Sequence, residues 1–502
     1  MNLRSLTRYI AEDNKVSLTV YEELLKSYRA SLVNFPKEVN LIGIFFFEIL
    51  KLVTGTILRK RELEEYLVQD QDILEKEVRT WPYTGYRDLV SGLDPDKKIY
   101  GRPDRIAQTN FMRSAIALIS TFRASLSTRK SFTVGIIGTG LDRQLAGVCL
   151  KYGWKVRLLD DRFIIKHIPK VEDQLFIVAQ FIKELAVRIS LPFKVASYEN
   201  LIFRHIKSLV QEGMPAPLEI DALITGSGAE FYNRLISAHA QYYKIPVIRI
   251  HHGEGFGIAD EPIFGVGDQS YADIFVGYGP FFNEHTPEYE YTSNMLWSPQ
   301  YVSSSSPVCV AQRSSRNVQP LELGSATRRV FYFPTSLSGY MHRYGPYRDL
   351  PDELYLRWHN QIKQWLGPLT VKAHPKERYS ALFCKYHQSF ITTDLREMID
   401  QVDVFVFDYI SSAFFIAAAT DKPIIFLDLG LRNIAKCAFQ YIKERTHYVD
   451  IRKYNTLTKD EINSLLLIDV IKTNRLSEAF SFENTRRSRT AIVAEQLHKI
   501  AS

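Results

Sequence analysis

A histidine- and glycine-rich segment follows one of the apolar stretches of this chain: Ile250-His251-His252-Gly253-Glu254-Gly255-Phe256-Gly257. Glycines let the backbone approach a ligand closely. An imidazole and a carboxylate there could each take a proton from a hydroxyl group. We therefore predict His252 or Glu254 as a general base, with Gly253 and Gly255 lining a cleft. The alternative is a structural turn that contains a hydrogen-bonded histidine.

Adjacent histidines also raise the question of a metal site. A strand directs neighbouring side chains to opposite faces, and the sequence offers no evident third ligand near them. We predict no metal at this position.

A second candidate is Val371-Lys372-Ala373-His374-Pro375-Lys376. Pro375 holds the preceding residue in an extended conformation and prevents the strand from continuing. His374 is therefore expected at the carboxyl end of a strand, between Lys372 and Lys376. An imidazole with cationic neighbours could stabilise an anionic leaving group. A purely structural histidine is the alternative.

The third candidate begins at Asp403-Val404-Phe405-Val406-Phe407-Asp408-Tyr409-Ile410-Ser411-Ser412. The pattern predicts a strand, a polar turn containing Asp408, and a helix that starts at Ser411 and Ser412. Hydroxyl groups and free helix N–H groups could bind a phosphate. An ordinary serine N-cap is the alternative.

Glycine turns follow two further apolar segments. Gly138 and Gly140 come directly after Phe132–Ile137, and Gly226-Ser227-Gly228 follows another strand-like run. The third glycine of a dinucleotide-binding GxGxxG motif is absent. We therefore predict tight strand-to-helix turns beside a cleft, and a nicotinamide oxidoreductase is the least favoured function.

These residues need parallel sheets to position them. Short apolar runs alternate with helical segments, the pattern of a parallel α/β fold. The runs are 132–137, 155–159, 222–224, 246–250 and 272–276, followed by 330–333, 369–373, 389–392, 404–407 and 423–427. Strand carboxyl ends are where such sheets bind ligands.

The chain therefore divides into five predicted regions. They are an N-terminal helical region (1–105, with helical spacing in 24–32 and 63–74), a Rossmann-like acceptor domain (106–295), a linker (296–327), a Rossmann-like nucleotide-donor domain (328–475) and a C-terminal helix that packs back (476–502). The predicted fold class is α/β, with two Rossmann-like domains facing a cleft and an N-terminal helical extension.

The composition argues against a disordered or fibrous protein and against a nucleic-acid-binding protein. Apolar and charged residues make up 46% and 24% of the 502 residues, close to globular averages. The net charge of +7 contains no basic block, so we expect no nucleic-acid partner. The four cysteines are widely spaced, which indicates neither zinc nor disulfides and favours a reducing compartment.

The most apolar stretch, 41–58, contains Glu48 and Lys51. We interpret it as a buried helix, with a membrane-surface helix as the alternative. The expected location is cytoplasmic, with contact at the inner face of the cytoplasmic membrane as the alternative.

The order of these motifs resembles the CDP-glycerol glycerophosphotransferase (teichoic-acid polymerase) family. The resemblance rests on His252-Gly253, on Phe331-Tyr332-Phe333-Pro334-Thr335, on His374-Pro375 and on the Asp408–Ser412 turn followed by Lys422-Pro423. Bacterial sialyltransferases and capsule Kdo transferases, which use CMP-activated sugars, show a similar set, in which Glu254-Gly255 would be the acidic-Gly motif. Ile410 separates Tyr409 from the serine pair, so neither family assigns the donor.

This resemblance implies a metal-independent transferase of the GT-B class without a cofactor. His252 or Glu254 would be the base, and His374 would act on the donor phosphate. Pro375, Lys376, Ser411, Ser412, Asp408 and Thr335 would contribute to donor binding. The partners would be a nucleotide-sugar donor, with CMP or CDP favoured, and a glycan or lipid-linked acceptor of cell-surface polysaccharide. A nucleotide-sugar epimerase and a non-catalytic capsule-assembly scaffold stay open, as does the oligomeric state.

Overall fold

A computed structural model describes most of the sheet-forming parts of the chain. The described residues are 3–54, 132–159, 167–188, 206–228, 231–251, 258–278, 287–304, 328–334, 352–373, 387–466, 476 and 488–502, with gaps of one or two residues inside several of these ranges. The predicted helical segment 63–74 lies outside them.

The first sheet has six parallel strands. Its strands are β1 (Thr133–Ile137), β2 (Lys155–Leu158), β5 (Ala222–Thr225), β6 (Val247–Ile250), β7 (Ile274–Tyr278) and β8 (Gln300–Ser304), in the order β2-β1-β5-β6-β7-β8. A separate parallel pair consists of β3 (His167–Ile168) and β4 (Gln211–Glu212). The strand order reverses direction between β1 and β5, which is the switch point where such sheets bind ligands.

The second sheet has five parallel strands. They are β9 (Val330–Phe333), β10 (Thr370–Val371), β11 (Val404–Phe407), β12 (Ile424–Asp428) and β13 (His447–Asp450), in the order β10-β9-β11-β12-β13. Its switch point lies between β9 and β11. These two strands and β12 are buried at every position, as expected of a parallel sheet covered on both faces.

Helices cover these sheets and connect their strands. The α-helices are α1 (Leu3–Ser31), α2 (Leu41–Ile44), α3 (Asp142–Lys151), α4 (Val171–Arg188), α5 (Phe231–Tyr242), α6 (Pro262–Gln269), α7 (Pro287–Asn294), α8 (Asp352–Leu366), α9 (Leu395–Met398), α10 (Ser412–Ala418), α11 (Lys436–Arg445), α12 (Lys459–Leu466) and α13 (Arg489–Ala501). Short 3-10 turns lie at Lys37–Val39, Ile399–Gln401 and Ile451–Lys453.

The predicted fold class is confirmed: the chain is α/β, with two Rossmann-like parallel sheets and an N-terminal helix. Two local expectations are wrong. The predicted linker 296–327 begins too early, because Gln300–Ser304 is the edge strand of the first sheet. The predicted strand at 389–392 is reduced to a single bridge between Lys372 and Ile391. Strand β13 was not predicted.

Helix α1 contributes to hydrophobic cores in both halves of the chain. Leu3, Leu6 and Ile10 pack into the core of the second sheet, together with β9 and β11 residues. Further along the same 29-residue helix, Leu24 and Tyr28 pack into the core beside the first sheet. One continuous helix therefore stabilises both halves.

The apolar stretch that begins at residue 41 is part of the same core as Leu24 and Tyr28. Four of its side chains are fully buried and lie in that cluster: Leu41, Phe45, Phe46 and Leu50. The buried interpretation is confirmed for this part of the stretch. Within the described parts of the chain, no helix combines the length and apolarity needed to cross a membrane.

Helix α13 packs against the first sheet, although the second sheet precedes it in the chain. Ile492, Val493 and Leu497 share a core with β1 residues Val134 and Ile136. The C-terminal segment thus returns to the N-terminal half.

The dual role of α1 predicts a clear contrast between two leucines. Leu6 is 1% exposed and Leu18 is 41% exposed on the same helix. Leu6→Ala should lower the free energy of unfolding by about 2–5 kcal/mol, because it leaves a cavity in the second core. Leu18→Ala should change it by no more than about 0.5 kcal/mol. Urea denaturation followed by circular dichroism measures both, and equal effects would contradict the assigned packing.

Candidate functional site

The glycine turns after β1 and β5 touch each other at the switch point of the first sheet. Gly138 has a φ of +62°, a conformation that favours glycine. A Cβ atom on Gly226 would lie 1.8 Å from the Gly138 carbonyl oxygen, so the two turns are in direct backbone contact. Thr139 Oγ1 donates to Asp142 Oδ1 at 2.5 Å, which closes the turn into α3. Gly140 lies outside the described residues.

Buried arginines hold the Gly226–Gly228 turn. Arg249, in the middle of β6, donates from Nη1 to the Gly226 carbonyl at 3.0 Å, and Arg234 Nη1 donates to the Gly228 carbonyl. Both side chains are fully buried. Burial lowers the pKa of Arg249 to about 9, and the nearby Asp268 carboxylate opposes this shift. Arg249 was not a predicted site residue, although a charged residue inside an apolar strand is a signal that the sequence carries.

Asp408 lies beneath the carboxyl edge of the second sheet. It is 1% exposed, and its Oδ2 accepts hydrogen bonds from Tyr332 Oη at 2.5 Å and from Trp358 Nε1 at 2.9 Å. These contacts join the ends of β9 and β11 at the switch point. Asp408 therefore holds the turn in place from below and does not present its carboxylate to the surface.

Ser411 and Ser412 follow this turn at the start of α10. Ser411 is half-buried and Ser412 is exposed. The Ser411 hydroxyl does not cap the helix, unlike an ordinary serine N-cap. At the other end of α10, the buried Arg445 donates from Nε to the Ala418 carbonyl at 3.1 Å. The helix is thus fixed at its C-terminus, and its first residues follow the carboxyl end of β11.

A histidine pair is buried next to Tyr332. His359 Nδ1 and His387 Nε2 are 2.9 Å apart, and Lys363 Nζ is 3.1 Å from His387 Nδ1. An ammonium group only donates, so His387 Nδ1 accepts and its Nε2–H donates to His359. Burial, followed by the Lys363 charge, lowers the pKa of His387 to about 4, and burial holds the pKa of His359 well below its usual value. This network ties the chain at His387 to α8.

Several predicted site residues lie outside the described part of the chain. They are Gly140, His252, Gly253, Glu254, Gly255, Thr335, His374, Pro375 and Lys376. Their described neighbours show where these segments leave the sheets. His251 directly follows the first-sheet strand β6, Pro334 directly follows β9, and Ala373 lies two residues after β10. All three lie at carboxyl edges.

Loops from the two carboxyl edges contact each other directly. Residues 258–261, which follow the predicted glycine segment, pair with residues 430–435, which follow β12. Asp260 N donates to the Asn433 carbonyl at 2.7 Å, and Ala435 N donates to the Ile258 carbonyl at 2.7 Å. An antiparallel bridge joins Ala259 and Ile434. Residues 258–261, which directly follow the predicted glycine segment, are therefore attached to the second half of the chain.

A buried ion pair reinforces this contact. Arg432 Nη1 lies 3.3 Å from Glu261 Oε2, with side-chain exposures of 9% and 2%. The Arg432 guanidinium also stacks over the Tyr409 ring, at 4.6 Å from its centroid, and Nη2 donates to Tyr409 Oη. Neither Arg432 nor Glu261 was a predicted site residue, because neither belongs to a recognisable motif.

The other end of the glycine segment is also anchored. Arg489, the first residue of α13, donates from Nη1 to the His251 carbonyl at 3.1 Å. His251 itself is 4% exposed and packs against Phe275. Among the residues that the structure describes, no group of three or more potential metal ligands is found.

No protein-family model and no curated protein sequence matches this chain. Solved structures that align with it include the glycosyltransferase SnogD from Streptomyces nogalater, at 12% identity and a TM-score of 0.34, over 74% of this chain and 100% of that chain. MurG from Acinetobacter baumannii aligns at 11% identity and a TM-score of 0.33, over 74% and 100%. Spinosyn rhamnosyltransferase SpnG complexed with thymidine diphosphate aligns at 10% identity and a TM-score of 0.34, over 74% and 100%. The fold assignment rests on the strand order of this chain's own two sheets.

The contact between the glycine turns predicts strong sensitivity at Gly226. Gly226→Ala places a methyl group against backbone atoms of Gly138 and Thr139, and we expect it to lower the free energy of unfolding by about 1–3 kcal/mol or more. Gly147→Ala, in open space within α3, is the matched control and should raise stability by up to about 1 kcal/mol. Thermal and urea unfolding of both variants measure these changes in the free energy of unfolding. A stable Gly226→Ala protein would refute the close approach.

The histidine pair predicts a loss of stability in mild acid. Below pH 6.5 the unfolded chain binds protons that His387, with its pKa of about 4, does not accept when folded. The free energy of unfolding should therefore decrease as pH falls from 6.5 towards 4, by about 1.4 kcal/mol per pH unit for each such histidine. His387→Gln should reduce this slope in urea titrations at stepped pH.

His239 provides the matched comparison for this measurement. Burial lowers its pKa to about 4 as well, but it lies beside the first sheet. His239→Gln should reduce the slope by a similar amount. An unchanged slope in His387→Gln would show that this imidazole does not exclude protons in the folded protein.

Proposed function

We propose that this chain is a GT-B-class transferase. It would move a sugar, or a polyol phosphate, from a nucleotide-activated donor to a cell-surface polysaccharide acceptor, with CMP or CDP as the favoured nucleotide. The observation that supports the proposal is the contact between residues 258–261 and 430–435. It brings the carboxyl-edge loops of two doubly wound sheets together, and such edges are where these sheets bind ligands.

The second half would bind the donor. Ser411 and Ser412 follow β11, one of the two strands at the switch point, and come shortly after the buried Asp408. In the proposal they donate to a donor phosphate, and His374, Pro375, Lys376 and Thr335 complete the site. His374 would stabilise the phosphate as it leaves, because an imidazole donor next to a lysine offsets developing negative charge.

The first half would bind the acceptor. His252 or Glu254 would take the proton from the attacking hydroxyl, in a segment anchored by Arg489 at one end and by Glu261 at the other. Gly138, Gly140, Gly253 and Gly255 would let the acceptor approach the backbone. The transfer would be of the inverting type, with a single displacement at the transferred group.

Further parts of the proposal concern conditions and location. The transfer would need neither a metal ion nor a cofactor, since cationic side chains and hydroxyls would stabilise the leaving nucleotide. The protein would act in the cytoplasm, with the inner face of the cytoplasmic membrane as the place where a lipid-linked acceptor is met.

Nucleotide binding tests the donor site. In calorimetric titrations with CMP, CDP, UDP and GDP, we expect a cytidine nucleotide to bind. The double variant Ser411→Ala/Ser412→Ala should raise its Kd by about tenfold or more, because each hydrogen bond to a charged phosphate contributes about 1.5–3 kcal/mol. Ser464→Ala, an exposed serine on α12, is the control and should bind like the wild type.

Three outcomes would contradict the proposal. Nucleotide binding that is unaffected by the double variant would show that the serine pair does not bind the donor phosphate. Isomerisation of the donor sugar in the absence of acceptor would indicate an epimerase. A protein that releases no nucleotide with any donor and acceptor would be a non-catalytic scaffold.

A further inference from the structure

We propose that Arg432 is a positioning residue that aligns the two halves of the site. Together with Glu261 and Tyr409 it forms the Arg432 cluster, which joins residues 258–261 of the first half to the serine turn of the second. The inference rests on the proposed function for its catalytic meaning, but the coupling itself can be measured without turnover.

Glu261 marks the first-half end of this cluster. It stands four residues after Gly257, directly before α6, where an acidic side chain would ordinarily interact with its own helix. Its carboxylate instead turns to the second half: Oε1 accepts from Asn433 N at 3.0 Å, and Oε2 pairs with Arg432. The carboxylate therefore serves the contact between the halves.

Tyr409 marks the second-half end. It is 4% exposed, follows Asp408 and precedes Ser411 by two residues. Arg432 stacks on its ring and donates to its hydroxyl. A change in the position of Glu261 is thus transmitted through one rigid, planar guanidinium to the backbone next to the serine pair.

The surroundings make the 430–435 segment a firm support for Arg432. Asp428 Oδ1 accepts from Gly430 N at 2.7 Å, and the carbonyl of Gly430 accepts from Asn14 Nδ2 of α1 at 3.2 Å. Asp428 is itself paired with Arg452 at 3.0 Å. Because the support is fixed on both sides, Arg432 can hold its two partners at a set separation.

Lysine cannot replace arginine in this arrangement. An ammonium group keeps the charge but lacks the planar fork that can stack on Tyr409 while it donates to two partners. Removal of the charge would leave Glu261 buried without its ion pair, which can prevent folding. Arg432→Lys, Tyr409→Phe and Glu261→Gln are therefore the informative variants.

The kinetic test separates positioning from binding. With the donor whose nucleotide the wild type binds, Arg432→Lys should lower kcat by about ten- to a hundredfold, because small misplacements of reacting groups have effects of that size. The donor KM should change by less than about threefold, since the phosphate contacts are kept. Arg329→Lys is the control: Arg329 pairs with Asp403 at 3.0 Å at the opposite edge of the second sheet, and kcat should stay at the wild-type value.

A double variant tests whether Arg432 connects its two partners. If the three residues act as a unit, Glu261→Gln/Tyr409→Phe should lose no more turnover than the worse single variant. The proposal would be overturned if the loss of turnover in the double variant equalled the product of the two single losses. A change in KM with kcat preserved would also overturn it.

Hydrogen exchange tests the same coupling without any substrate. Glu261→Gln should accelerate amide exchange by about tenfold in peptides covering 409–415 as well as 430–435, whereas Arg329→Lys should not. Faster exchange restricted to 258–261 would overturn the coupling. The wild type could lack transferase activity while Glu261→Gln still accelerates exchange in 409–415. That result would refute the proposed function and leave the coupling established.

Discussion

The structure depends on the short antiparallel contact between residues 258–261 and 430–435. Each segment leaves the carboxyl edge of a different sheet, and two backbone hydrogen bonds of 2.7 Å join them. Parallel sheets place all strand carboxyl ends at one edge, so a contact there sets the distance between the groups that these edges carry. Helix α1 reinforces the arrangement because it contributes to both cores and contacts Gly430.

Buried arginines provide much of the local rigidity around this contact. A buried guanidinium is costly unless its hydrogen bonds are satisfied. Arg249 and Arg445 donate to backbone carbonyls at the ends of β5 and α10, and Arg432 donates to Glu261 and Tyr409. Arg249 and Arg432 thereby hold turns at strand carboxyl ends, whereas Arg445 holds the connection between α10 and β12.

Local sequence predicted the central strands well but missed two of the edge strands, β8 and β13. Val330–Phe333 and Val404–Phe407 are buried at every position, so they appear as continuous apolar runs. Gln300–Ser304 and His447–Asp450 are edge strands with partly exposed positions, and they lack such a run. The candidate site shows the same division: the serine turn and the glycine turns were recognisable as motifs, whereas Glu261, Arg432 and Arg489 were not.

The sequence by itself determined the α/β class, the two-sheet organisation and the segments that end at strand carboxyl ends, because apolar periodicity and turn residues are local properties. Only the tertiary structure decided the strand order, the contact of Gly138 with Gly226, the burial of Asp408 and the pairing of Glu261 with Arg432. Those features join residues that are far apart in the chain. They arise from how whole sheets and helices pack, which no local pattern encodes.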